Sequence, residues 1–153
     1  MKLPDTDDLV DFIITNYNAA RRIVEIGIGS YPFVAVHLKK LLPSVSIVVT
    51  DIDRVNLATI KEKHSELEPV YDNIFDPQLS VYNETNFIYS IRPPPEMISE
   101  ILKLAIKVGV DLLIRPFFGD EGGYDYSKFQ GWTLTAHKRA VFYFRKKLIL
   151  TNA

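Results

Sequence analysis

Between Ile23 and Ile114, short β-branched runs alternate with stretches whose apolar residues recur at helical spacing, and few folds accept that alternation. Residues 23–26, 45–50, 70–71, 87–91 and 110–114 read as strands. Residues 5–18, 32–42, 54–67 and 96–108 read as helices. Leu9, Val10, Ile13, Ile14 and Tyr17 give the first helix its core-facing stripe, and Val34, Leu38, Leu41 and Leu42 do so for the second. Asp5 or Thr6 is placed to cap the first helix, and Pro32 and Pro95 suit first helical turns. Pro43, Pro69 and Gly109 end helices. Strands joined by helices run parallel, and the helices cover both faces of the sheet. After Ile114 the pattern changes to two strands, 132–136 and 140–145, joined by His137-Lys138-Arg139 in an antiparallel hairpin. The fold class is therefore α/β, a three-layer Rossmann-like sandwich with a mostly parallel sheet and a closing antiparallel hairpin. With 153 residues, no repeats and no linker, residues 1–153 are expected to form one such domain.

Composition narrows the chemistry. Apolar residues make up 47% and charged residues 24%, so a packed core is expected. Cys 0 excludes thiolate catalysis, disulfides and cysteine-ligated metal. No apolar run is long enough to span a bilayer, and the start lacks a signal-peptide core, so no membrane contact and a cytoplasmic location are expected. The net charge of −1 argues against capture of nucleic acid by the whole surface. The charge is uneven, however. Asp5, Asp7, Asp8 and Asp11 crowd the beginning; Lys138, Arg139, Arg145, Lys146 and Lys147 crowd the end. Two readings stay open: two solvated ends, or a basic lip that meets RNA.

Ile23-Val24-Glu25-Ile26-Gly27-Ile28-Gly29-Ser30-Tyr31 is strand, acid, two-glycine turn and helix start. Such a turn brings the backbone close to a ligand and aims the next helix's free N–H groups at it. A phosphate-binding P-loop needs Gly-Lys-Ser/Thr there, and the chain has Gly29-Ser30-Tyr31. A dinucleotide fingerprint needs a third glycine where Pro32 stands.

Glu25-x-Gly27-x-Gly29 resembles the first motif of the class I S-adenosylmethionine methyltransferases, with Tyr31 where a less strict third glycine falls. That resemblance implies S-adenosylmethionine as cofactor, with Gly27 and Gly29 cradling it and Glu25 at its amino-acid end. It implies Asp51, ending the second strand, as acceptor of both ribose hydroxyls, a task suited to a carboxylate. It also implies an acid facing the adenine, with Asp72 the best match and Asp76 second, and Ile74 and Phe75 flanking the ring. Each residue has a structural alternative: the glycines can serve a tight turn, and Asp51 can cap the next helix.

Ile88–Glu96, with its Arg92-Pro93-Pro94-Pro95, and Leu112–Pro116 resemble a small archaeal family with a reduced methyltransferase-type Rossmann fold and no established reaction. In amino-methyltransferases an Asp, Asn or Ser precedes Pro-Pro and an aromatic follows. Here Arg92 and Pro95 stand at those positions, and an arginine cannot accept a hydrogen bond from an amine. Tyr89 and Arg92 are the nearest candidates for base or substrate clamp. Arg92 and Arg115 end adjacent strands, where they either bind a substrate anion or pair with Asp76, Glu96, Asp120 or Glu121.

His37, His64 and His137 fall on different elements, and no His/Asp/Glu spacing suggests a metal site. Two functions therefore compete. One is an S-adenosylmethionine-binding, methyltransferase-like protein with a small or RNA-type substrate, completed by self-association into a homodimer and by the 117–131 loop. The other is a non-catalytic Rossmann-type module for a nucleotide-like ligand or a protein or RNA partner.

Overall fold

The computed structural model describes residues 2–117, 125–128 and 131–148. Its strands are β1 (Arg22–Ile26), β2 (Ser46–Asp51), β3 (Glu68–Tyr71), β4 (Phe87–Ile91), β5 (Asp111–Arg115), β6 (Trp132–His137) and β7 (Ala140–Arg145). They form one 7-stranded sheet in the order β3-β2-β1-β4-β5-β7-β6. Strands β1 to β5 are parallel. Strand β7 runs antiparallel to β5, and β6 closes the hairpin on it. This is the expected Rossmann-like arrangement.

The helices are α1 (Thr6–Tyr17), α2 (Phe33–Leu41), α3 (Arg54–Lys63) and α4 (Pro95–Val108). Leu9 and Ile13 of α1, Leu38 of α2 and Ile60 of α3 pack with Ile23, Val49 and Phe87 on one face. Among the described residues α4 is the one α-helix on the other face, its Ile98, Ile101 and Leu102 packing with Val24, Ile88 and Leu112. The sandwich is therefore lopsided. Between β3 and β4 stands only a single 3-10 turn, Leu79–Tyr82, whose Tyr82 ring is buried where a helix would otherwise pack. The tyrosine supplies a large apolar face with a polar tip that needs a partner.

Local chemistry accounts for most boundaries. Helix α4 begins at Pro95 and ends on Gly109 in the left-handed conformation. Helix α3 is capped by Asp53, whose carboxylate accepts the Val55 and Asn56 N–H groups. It stops at Lys63, four residues before the expected 67. Leu67 is still buried against the core, but as the lead into β3. Pro69, expected as a helix stop, lies within β3. That position is tolerated because β3 is an edge strand. Asp5 makes no side-chain cap to α1, because its carboxylate serves Arg115 instead.

Reversal of the strand order occurs at β1, which has β2 on one side and β4 on the other. In open α/β sheets the ligand crevice lies outside the carboxyl ends of the strands at such a point.

Candidate functional site

At the end of β1 the chain turns through Gly27 (φ +70) and Gly29 (φ +55). A residue with a Cβ is strained there by about 1–2 kcal/mol. Space is not the constraint: a Cβ on Gly27 would meet Met97 Cε at 3.6 Å, and one on Gly29 meets nothing within 4 Å. The turn is tied to β2, since Ile28 N–H donates to the Thr50 carbonyl at 2.9 Å. Gly29 N–H donates to Asp51 Oδ2 at 2.7 Å, and Asp53 N–H donates to Asp51 Oδ1 at 2.9 Å. Asp51 thus fixes the glycine turn, while Asp53 is the residue that caps α3.

The turn opens on a cavity of about 280 Å³ on the α4 side of the strand ends. Its polar lining includes Asp51, Asp72, Ser90 and Arg92; Ile74 and Phe75 contribute apolar walls. The volume falls near the lower end for small-molecule sites, about 300 Å³. Asp72 is buried, and both its oxygens already accept: Oδ1 from Gln78 N–H at 2.9 Å, Oδ2 from the Tyr82 hydroxyl at 2.6 Å. Burial, with Asp72 beside it, pushes the Tyr82 hydroxyl above its usual range, so Tyr82 stays a donor. Each carboxylate oxygen retains a second lone pair for a ligand. Asp76 is exposed, and its N–H donates to the Asn73 carbonyl at 2.9 Å.

Glu25 is placed differently from expectation. It is buried on the opposite face from the cavity, in register with Tyr89 of β4. Its neighbours in β1, Val24 and Ile26, face the α4 side, and Ile26 rather than Glu25 lines the cavity. Burial pushes the Glu25 carboxyl well above the usual carboxylate range. Neither Glu25 nor the Tyr89 hydroxyl makes a hydrogen bond of good geometry, yet the hydroxyl is near enough to favour the charged carboxylate in part. Tyr89 is fully buried, and burial with Glu25 beside it raises its hydroxyl far above the usual range. It faces away from the cavity, so it has no access to a substrate there.

The two arginines expected together also part. Ile91 and Arg115 are register partners, and Arg92 N–H donates to the Arg115 carbonyl at 2.6 Å. The Arg115 side chain turns to Asp5, with Nε–Oδ2 at 3.0 Å and Nη2–Oδ1 at 3.2 Å. It is thus held by an acid, though Asp5 was not among the expected partners; Asp120 and Glu121 lie outside the described residues. Arg92 lines the cavity, with its guanidinium 5.3 Å from the Tyr31 ring centre and 5.1 Å from that of Phe117. Most of the glycine-rich loop expected as a substrate wall, 118–124 and 129–130, is likewise outside the described residues.

The acidic beginning and basic end meet each other. Arg139 Nε donates to Asp8 at 3.0 Å, His137 lies 2.7 Å from Asp11, and Lys138 lies 3.1 Å from Asp11. Arg145 is buried. Three of the five cations read as an RNA-facing lip are therefore paired or enclosed. His37 and His64 sit beside Asp7 and Glu66.

Sequence reasoning passed over Ser90 and Tyr82. Ser90 lines the cavity and donates to the Ile26 carbonyl at 2.7 Å. Strand alternation carried the signal, because a neighbour of Tyr89 must face the other side.

A model of the uncharacterised protein family UPF0146 matches residues 6–147. A UPF0146 protein of Methanocaldococcus jannaschii is 33% identical over 143 residues, 92% of this chain and 96% of that protein. One from Pyrococcus horikoshii is 41% identical over 101 residues, 65% of this chain and 72% of that protein. Among solved structures, human N-acetylserotonin methyltransferase in complex with SAM superposes with a TM-score of 0.68 at 14% identity. That match covers 94% of this chain and 52% of the methyltransferase, so the chain spans about half its length. At such identity the likeness shows the fold, that of the Rossmann-like class I methyltransferases. The chain belongs to the UPF0146 family.

Proposed function

We propose that the cavity binds S-adenosylmethionine and that the protein is a methyltransferase-like cofactor-binding domain. One observation carries this: a positive-φ glycine turn, locked by Asp51, opens on a cavity that also contains Asp72. Asp51 ends β2 and Asp72 follows its neighbour β3, so the two carboxylates lie along one sheet edge. The residues present fit the group. Asp51 keeps lone pairs for two adjacent hydroxyls, Asp72 keeps acceptors for an exocyclic amine, and Ile74 and Phe75 offer apolar walls to a base. Gly27 leaves its backbone accessible from the cavity.

When bound, the cofactor supplies a methyl group activated on a sulfonium. This chain's residues would bind and orient it, with Asp51 holding the ribose and the Tyr82–Asp72 hydrogen bond fixing the acid at the base. Glu25 and Tyr89 take no part in contacting it. Of the two candidates for base or clamp, only Arg92 reaches the cavity, and a guanidinium stays protonated, so it serves as a clamp and not as a base. The same geometry serves a non-catalytic module equally well, and methyl transfer separates the two. The test is calorimetric titration of S-adenosylmethionine, S-adenosylhomocysteine and NAD into the wild type and Asp51→Ala. Binding of the first two without NAD, lost in the variant, supports the cofactor site.

A further inference from the structure

Arg92 is built to present its charge. It follows the last residue of β4 and holds a left-handed backbone, φ +49, which a non-glycine residue adopts only where its surroundings enforce it. Its N–H donates to the Arg115 carbonyl at 2.6 Å, which ties this residue to the end of β5. Its guanidinium lies over two rings, 5.3 Å from the Tyr31 centre and 5.1 Å from that of Phe117. Rings at that range attract the cation and restrict its plane. Tyr31 is itself anchored, its hydroxyl accepting from Leu3 N–H at 2.6 Å and lying 2.6 Å from Thr6 Oγ1.

The guanidinium nevertheless makes no hydrogen bond or ion pair among the described residues, whereas its cross-strand neighbour Arg115 is held by Asp5. Arg92 also lines the cavity beside Gly27 and Ser90. A half-buried arginine whose fork is unfilled among the described residues is suited to receive a planar or tetrahedral oxyanion.

Along the sheet edge the strand ends present Asp72 after β3, Asp51 as the last residue of β2, Gly27 after β1 and Arg92 after β4. A nucleoside lying on Asp72 and Asp51 leaves Arg92 at the far end, beyond the glycine turn. We infer that Arg92 is the anion-binding residue for a second, acceptor ligand, a small molecule bearing a carboxylate or phosphate. This placement rests on the cofactor reading above; the presence of an oxyanion site at Arg92 does not. An anion there also lies favourably beside a sulfonium, whereas the guanidinium alone repels one.

The test uses the full chain with inorganic phosphate and malonate as probes, titrated with and without S-adenosylhomocysteine and followed by calorimetry. The wild type is expected to bind one probe at millimolar concentration or tighter, and which of the two it prefers assigns phosphate or carboxylate chemistry. Arg92→Gln is expected to weaken that binding at least tenfold. Arg92→Lys, with the charge but not the fork, is expected to recover part of it. Far-ultraviolet circular dichroism confirms that both variants are folded.

Probe binding unchanged in folded Arg92→Gln, or no probe binding by the wild type, overturns the inference. So does an Arg92→Gln loss seen with S-adenosylhomocysteine but not with methylthioadenosine, since the anion is then the cofactor's own carboxylate. If S-adenosylhomocysteine fails to bind while the probe still depends on Arg92, the cofactor reading falls and the oxyanion site stands.

Discussion

The Asp51 carboxylate accepts the Gly29 N–H at 2.7 Å across 22 residues of chain. A second bond from Asp53 N–H at 2.9 Å holds the other oxygen. One side chain therefore sets the glycine turn, the entry to α3 and one wall of the cavity. Asp51→Ala leaves two backbone donors without this acceptor and is expected to cost about 1–3 kcal/mol. Asp51→Asn keeps one acceptor oxygen and is expected to cost less. Urea denaturation of the three proteins checks the order.

Glu25 and Tyr89 form a buried pair that the cavity does not use. A carboxyl whose folded pKa is raised contributes stability that is intact below its ordinary value of 4.5 and lost as pH rises through the folded value. Glu25→Gln removes that loss. Its melting temperature is expected to exceed the wild type's at pH 7.5, with the gap closing toward pH 4. A variant less stable than the wild type at pH 7.5 would mean that the ionised carboxylate is stabilised in place.

On the acid side the sign reverses. Hydrogen bonds from Lys2, Arg139 and His137 hold Asp7, Asp8 and Asp11 below the usual carboxylate value of 3.8. Their contribution is present above that value and is lost as pH falls through the lowered one. Replacing Asp8 and Asp11 together by Asn is expected to flatten the acid limb of the stability profile, read from thermal melts between pH 2 and 5.

Asp5 and Arg115 join the start of α1 to the end of β5 with side chains only 11% and 14% exposed. Asp5→Ala removes two hydrogen bonds to a nearly buried guanidinium and is expected to cost about 1.5–3 kcal/mol. The exposed Glu100–Lys103 pair at 3.1 Å serves as the control. Glu100→Ala there is expected to cost about 0.5 kcal/mol or less. Chemical denaturation of both variants decides whether the Asp5 contact is structural.

Much of the architecture is legible because strand and helix periods are local. The 87–91 and 140–145 strands and the end of α4 at Gly109 follow from β-branched runs and from glycine chemistry. The orientation of Glu25 was not legible by polarity. Both faces of the sheet are covered, so Ile23, Val24 and Ile26 are buried on either side of it and no polar alternation marks the faces. Long-range pairings were equally hidden. Arg115 finds Asp5 across 110 residues and His137 finds Asp11 across 126, distances at which spacing along the chain carries no information. Asp51 and Asp72 are legible through the methyltransferase resemblance, which expects acids after the second and third strands; that Tyr82 holds Asp72 depends on a 3-10 turn with weak periodicity.

The most direct test of the central claim is calorimetric titration of S-adenosylhomocysteine into the wild type, Asp51→Asn and Asp51→Ala, with folding of each verified. The cofactor site predicts saturable one-to-one binding to the wild type and a loss of at least tenfold in folded Asp51→Ala, about 1.4 kcal/mol. Absence of binding to the wild type at millimolar ligand, or equal affinity in all three proteins, would contradict it.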